Sequence, residues 1–135
     1  MRLLIDANIL LDVLQKREPH YKDSSLVCKL CETGQDEGFV SALTFANLVY
    51  IMRQELDAGQ IRSVLDKLQL IFKFTDYTVS DMEKAANLEW NDFEDAIQSV
   101  TAYRMAADYI ITRNVRDFSK SAVTSFTPSE YLERR

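Results

Sequence analysis

Short apolar runs alternate with apolar residues at helical spacing along the whole chain. Leu3-Leu4-Ile5 has the pattern of a buried strand. It stops at Asp6, and from there Ile9, Leu10, Val13 and Leu14 recur as they do on one helix face. Arg17-Glu18-Pro19-His20 breaks that helix. A second helix is predicted from about Lys22 to Glu32, with Gly34 as its stop. Gly38-Phe39-Val40-Ser41-Ala42-Leu43 reads as a second strand, and Thr44 as the cap of a third helix from Phe45 to about Leu56. After Gly59, the residues Ile61, Val64, Leu65, Leu68 and Ile71 mark a fourth helix. Alternation between Phe72 and Val79 predicts a strand near residues 73–78. Ser80 with Glu83 forms a capping box for a fifth helix. Asp92 and Asp95 open a sixth, with Ile97, Val100, Thr101 and Met105 facing the core. Tyr109-Ile110-Ile111-Thr112 is a fourth strand and Ala122-Val123-Thr124 a short last one. Pro128 suits the first turn of a terminal helix.

Strands that alternate with helices predict an α/β fold, with a parallel sheet covered on both faces and right-handed connections. Ligands in such sheets bind outside the carboxyl ends of the strands. Each strand end is therefore the place to look for chemistry.

Composition narrows the classes. The 135 residues suit one domain, 1–135, and are 47% hydrophobic and 27% charged, which excludes a disordered chain. Three Gly and two Pro leave no room for a long linker. No apolar run approaches a membrane span, and the first strand is too short for a signal peptide, so a cytoplasmic protein without a membrane partner is expected. The net charge of −5 argues against gripping nucleic acid by bulk charge, though not against binding it through a cation. Cys28 and Cys31 form a C-x-x-C pair, but no second pair accompanies them and the lone histidine, His20, sits in a predicted loop. Inside a helical segment they read as small buried residues rather than as a zinc or redox motif.

The acids fall at strand ends. Strand one ends at Asp6, and strand four ends at Thr112-Arg113-Asn114 with Asp117 just beyond. Asp92 and Asp95 share a face of the helix leading into strand four. Each could simply cap its own helix. Together, Asp6, Asp95 and Asp117, with Asp92 beside them, are expected to converge on one edge. Carboxylates that converge without a basic partner are stable if one titrates or a cation sits among them. Hard oxygen ligands suit Mg²⁺ or Mn²⁺.

Four stretches carry a family resemblance: Asp6-Ala7-Asn8-Ile9-Leu10-Leu11-Asp12, Ser41-Ala42-Leu43-Thr44, Asp92-Phe93-Glu94-Asp95-Ala96-Ile97-Gln98 and Thr112-Arg113-Asn114-Val115-Arg116-Asp117-Phe118. In order and spacing the chain resembles the PIN domain, and within it the small prokaryotic proteins of which many are ribonuclease toxins of toxin–antitoxin pairs. The resemblance implies a three-layer α/β/α sandwich with a central parallel sheet of four to five strands. It implies a Mg²⁺ or Mn²⁺ site, metal-dependent endoribonuclease activity on RNA, a homodimer and an antitoxin partner. Asp6, Asp95 and Asp117 would be the catalytic metal ligands, joined by Asp92. Asn8, Asn47, Thr112 and Asn114 would support them, and Arg113 and Arg116 would contact RNA.

One position departs. The family's second acid is a Glu early in the helix after strand two, and here that position is Asn47. Asn47 keeps an oxygen and loses a charge. This supports an alternative in which the domain no longer cuts and instead binds RNA or a protein. A haloacid-dehalogenase-like phosphatase would need a second Asp at position 8, which is Asn8, and a suitably placed lysine. A phospho-receiver domain would need a paired acid at strand one and an Asp after strand three, whereas Asp76 lies within the predicted strand.

Overall fold

The chain starts with β1 (Arg2–Ile5), α1 (Ala7–Leu14), α2 (Tyr21–Glu32) and β2 (Glu37–Ser41). It continues through α3 (Ala42–Ile51), α4 (Ala58–Ile71), β3 (Lys73–Thr75), α5 (Val79–Leu88) and α6 (Phe93–Arg104). β4 (Tyr109–Ile111), a 3-10 turn (Val115–Phe118), β5 (Ser125–Phe126) and α7 (Pro128–Arg134) complete it. These elements come from a computed structural model that describes residues 1–135.

All strand pairs are parallel, and the order is β3-β2-β1-β4-β5. The expected α/β/α sandwich with a parallel sheet is the fold found. β1 is central and must bury both faces, which is why Leu3, Leu4 and Ile5 form a continuous apolar run with no exposure. Leu3, Ile5, Val40 and Ile111 pack on one side with Val27, Leu48 and Leu68 from α2, α3 and α4. Leu4, Phe39 and Ile110 pack on the other with Ala102 of α6 and Phe118. Each large side chain so buried contributes roughly 1.5–3 kcal/mol. Where β2 passes beneath α2 and α4 only a glycine fits: a Cβ on Gly38 would stand 2.6 Å from both Cys31 Sγ and the Phe72 ring. At the opposite edge from the strand ends, buried Asp36 accepts hydrogen bonds from the Tyr131 hydroxyl and Arg135, tying α7 to the sheet.

Several predicted boundaries shift. Ser41, not Thr44, caps α3: its hydroxyl accepts from the Thr44 amide at 3.1 Å, so β2 ends and the helix starts earlier than expected. The fifth helix is capped two residues earlier, by Thr78 with Asp81 rather than Ser80 with Glu83. Asp81 is buried against Arg104 at 3.0 Å, a tertiary contact that selects between two overlapping boxes. The last strand is at Ser125–Phe126 instead of residues 122–124, where Val123 serves the core without joining the ladder. No helix is long and apolar enough to cross a membrane.

The strand order reverses between β1 and β4. Connections leave these neighbours towards opposite faces, which opens a crevice beyond their carboxyl ends. Asp6 and Thr112 stand at that point.

Candidate functional site

Asp6 is the N-cap of α1, and its Oδ1 accepts from the Ala7 amide at 2.9 Å. Its Oδ2 accepts from the Thr112 hydroxyl at 2.8 Å, joining the end of β1 to the end of β4. Asn8 Nδ2 reaches Asp6 Oδ2 and Thr112 Oγ1 at 3.4 and 3.3 Å, and Asn8 Oδ1 accepts from the Arg113 amide. The Asn114 amide donates to Thr112 Oγ1 at 3.1 Å. Asp6, Asn8, Thr112 and Asn114 therefore form one hydrogen-bonded group. Burial pushes the Asp6 carboxyl up, and the hydrogen bonds from Thr112 and Ala7 pull against that.

The other acids come from the start of α6 and the 3-10 turn. Asp92 caps α6 by accepting from the Asp95 amide at 3.1 Å. Its capping role and its place in the cleft are thus both real. Asp95 lies at the third position of the helix, half-buried. Burial first, then the charges of Asp92, Asp6, Asp117 and Glu94, push its carboxyl up to about 7. Asp92, Asp95 and Asp117 line an open cleft of about 300 Å³ together with Glu89, Trp90, Asn91, Arg116 and Lys120.

One expected residue is placed differently. Arg116 lines the cleft, but the Arg113 guanidinium turns away and pairs with buried Asp12 at 2.9 Å. Asn47 is on α3 with its Nδ2 buried and without a hydrogen-bond partner. Glu94 is at the start of α6, and burial first, then the charge of Asp6, pushes its carboxyl up. Sequence reasoning missed Glu94, although it lies between Asp92 and Asp95. It also missed Gln98, which is buried under α3, accepts from Ser41 and donates to Thr44 at 2.9 and 2.8 Å. A glutamine on the apolar face of a predicted helix is the signal that could have found it. Cys28 and Cys31 are buried free thiols that burial pushes up to about 12, so they behave as apolar residues.

Among known families, the PIN domain matches residues 2–116, most of the chain. The chain belongs to the PIN domain family.

Solved structures agree with a PIN fold. FitAcB from Neisseria gonorrhoeae superposes with a TM-score of 0.70 at 17% identity, over 94% of this chain and 98% of that one. VapBC-1 from nontypeable Haemophilus influenzae gives 0.71 at 16% identity, over 96% and 99%. A toxin-antitoxin complex from Klebsiella pneumoniae gives 0.70 at 22%, over 93% and 97%. No curated protein matches by sequence.

The donor set of this PIN domain does not fit the metal that the resemblance implies. No three His, Cys, Asp or Glu side chains form a group able to hold an ion, which overturns the expected Mg²⁺ or Mn²⁺ cofactor. The reason lies in the side chains. Asp6 is held by the Ala7 amide and the Thr112 hydroxyl, and Asn47 brings an amide without charge. The remaining acids feel one another's charge without meeting at ligand distance, and protonation of Asp95 relieves their repulsion. Thermal melts in Mg²⁺ or Mn²⁺ are therefore expected to match those in chelator. Even an ion present at its own dissociation constant would add only about 0.4 kcal/mol. A rise beyond about 3 °C at low millimolar metal would contradict this reading.

Proposed function

We propose that this PIN domain is a protein-binding module, and that its acidic cleft takes a basic segment of a partner protein rather than cutting RNA. The cleft itself carries the reading. Glu89, Asp92, Asp95 and Asp117 line it against only Arg116 and Lys120, with Asp6 and Glu94 adding negative charge from behind. A cleft of that sign repels phosphates and attracts lysine or arginine. A partner's cation supplies the countercharge that the acids lack. One similar structure is described as a toxin-antitoxin complex, which favours a partner of the antitoxin kind. In this reading Asp6, Asn8, Thr112 and Asn114 fix the strand ends, and Asp92, Asp95 and Asp117 meet the partner. A homodimer belongs to the same reading, because α3 carries no charged residue and leaves Tyr50 and Ile51 exposed. Light scattering would then give twice the monomer mass.

Calorimetric titration with a basic and an acidic peptide of equal length tests the cleft. The basic peptide is expected to bind and to weaken about tenfold or more as salt rises from low to a few hundred millimolar. The Asp92→Asn/Asp117→Asn variant is expected to lose most of that binding. Equal binding of both peptides would refute the proposal. So would RNA cleavage by the wild type that Asp6→Asn abolishes, since that restores the nuclease reading.

A further inference from the structure

A second pocket, of about 200 Å³, opens where α2 and α7 begin and shares no residue with the acidic cleft. Apart from two prolines it is lined by polar side chains: His20, Asp23 and Ser24 at the start of α2, Arg113 after β4, and Thr127 and Ser129 at the start of α7. Ser24 has no exposed surface, and its hydroxyl donates to buried Asp12. Its oxygen is left as an acceptor. Asp12 also holds Arg113 through Nε, so the guanidinium is fixed along one edge while its Nη groups have no partner in the protein. A quarter of the side chain is exposed and none of its nitrogens is a buried orphan, so that free edge reaches solvent. The His20 side chain makes no capping bond. The Thr127 hydroxyl accepts from the Glu130 amide and keeps its own O–H unused.

We propose that this pocket is a binding site for a small phosphorylated polyol, with the phosphate on the free edge of Arg113 and a hydroxyl on Asp23. A guanidinium held by a carboxylate along one edge presents the rest of its donors as a planar fork, which matches the oxygens of a phosphate. Thr127, Ser129 and His20 bring further donors to the same pocket. Asp23 decides what else the ligand carries. A bare phosphate beside it meets a like charge. A phosphorylated polyol offers hydroxyls to Asp23 and to the Ser24 oxygen while its phosphate takes the fork. The volume suits a molecule the size of a pentose phosphate. A nucleic-acid strand is the poorer occupant, because the chain carries a net charge of −5 and the acidic cleft lies at the same edge of the sheet. The site is independent of the acidic dock, since the two have no side chain in common.

Amide chemical shifts test it, with ribose 5-phosphate, inorganic phosphate and ribose titrated separately into the full chain. Ribose 5-phosphate is expected to move the Ser24, Arg113 and Ser129 amides saturably and to leave those of Asp92 and Asp95 in place. It is expected to bind at least fivefold more tightly than phosphate and at least tenfold more tightly than ribose. Arg113→Lys keeps a cation beside Asp12 but loses the fork, and is expected to weaken binding tenfold or more. Ser129→Asp guards against a variant that folds poorly. An acid at the second residue of α7 suits the helix dipole, yet it brings a like charge to the phosphate, and binding is expected to vanish. In Asp23→Asn the preference for ribose 5-phosphate over phosphate is expected to fall below twofold. Equal affinities for those two ligands in the wild type would overturn the proposal, as would a preference that survives in Asp23→Asn. Binding that Ser129→Asp leaves intact, shifts confined to the acidic cleft, or no saturable shift at all would overturn it as well. A decauridylate with a 5′-phosphate that binds this pocket more tightly than ribose 5-phosphate would overturn it too, since the pocket would then belong to RNA.

Discussion

Arg113→Leu is expected to destabilise the protein by about 3–5 kcal/mol, the usual cost of removing one partner from a buried ion pair. Asp12 has no exposed surface. Its Oδ2 accepts from Arg113 Nε and from the Ser24 hydroxyl, both at 2.9 Å, while its Oδ1 has no partner at all. The carboxylate is already under-satisfied, and losing the guanidinium leaves its charge in the interior with one hydroxyl for company. The pair also joins α1 and α2 to the segment after β4, where Thr112 and Asn114 approach Asp6. For a chain of this length the melting temperature should drop by roughly 10–20 °C. The double variant Asp12→Leu/Arg113→Leu is expected to recover most of the loss, because apolar replacements of a buried pair are often neutral or better. Calorimetric melts of the three variants decide it. A loss within about 1 kcal/mol for Arg113→Leu would mean that Asp12 reaches water or another donor.

Asp12 also marks where sequence reasoning stops. It stands six residues after Asp6, inside the stretch that carried the family resemblance, yet it pairs with Arg113 inside the protein while Asp6 joins the ends of β1 and β4. Nothing in their spacing separates the two roles, since one acid caps and the other lies on the same short helix beginning at a strand end. What was legible followed from local rules. A continuous apolar run fixed β1 as a central strand, and a polar residue ending each of β1 and β4 placed Asp6 and Thr112 at the strand-order reversal. The overlapping capping boxes at Thr78 and Ser80 show the next limit, because the choice between them depends on Arg104, 23 residues beyond Asp81. The metal expectation failed for a similar reason. Spacing places acids on one sheet edge, but a coordination shell needs oxygens that converge at ligand distance. Whether they converge is decided by how the strand ends and the start of α6 meet, which no linear pattern reports. Gln98 escaped for the complementary reason: its partners, Ser41 and Thr44, lie more than fifty residues away, at the end of β2 and the start of α3.

Asp95→Asn is expected to stabilise the protein above neutral pH, against the usual direction for a point substitution. The Asp95 carboxyl ionises in the folded chain at about 7, against an ordinary value of 3.8. Below 3.8 it is protonated in both states and contributes its full share of stability. Between 3.8 and about 7 the unfolded chain has lost the proton while the folded chain keeps it, so stability falls as pH rises through that window. Above it, both states are ionised and the folded chain carries the whole cost of an anion facing Asp92, Asp6, Asp117 and Glu94. A shift of some three units corresponds to about 4 kcal/mol at most. The side chain is only half-buried, so solvent screening reduces this to about 1–2 kcal/mol. An acid in the first turn of α6 also gains a few tenths of a kcal/mol or so from the helix dipole, which the amide forgoes. The asparagine variant should accordingly melt several degrees above wild type at pH 8, with the gap closing towards pH 4 and shrinking in high salt. The same substitution removes charge from the proposed dock, so stabilisation and weaker binding of a basic peptide should arrive together. A site that gives up stability to keep a charge exposed for a partner behaves in this way. Wild type and variant melting alike at every pH would mean that the acids do not confront one another, and the cleft would lose its claim to need a partner's cation.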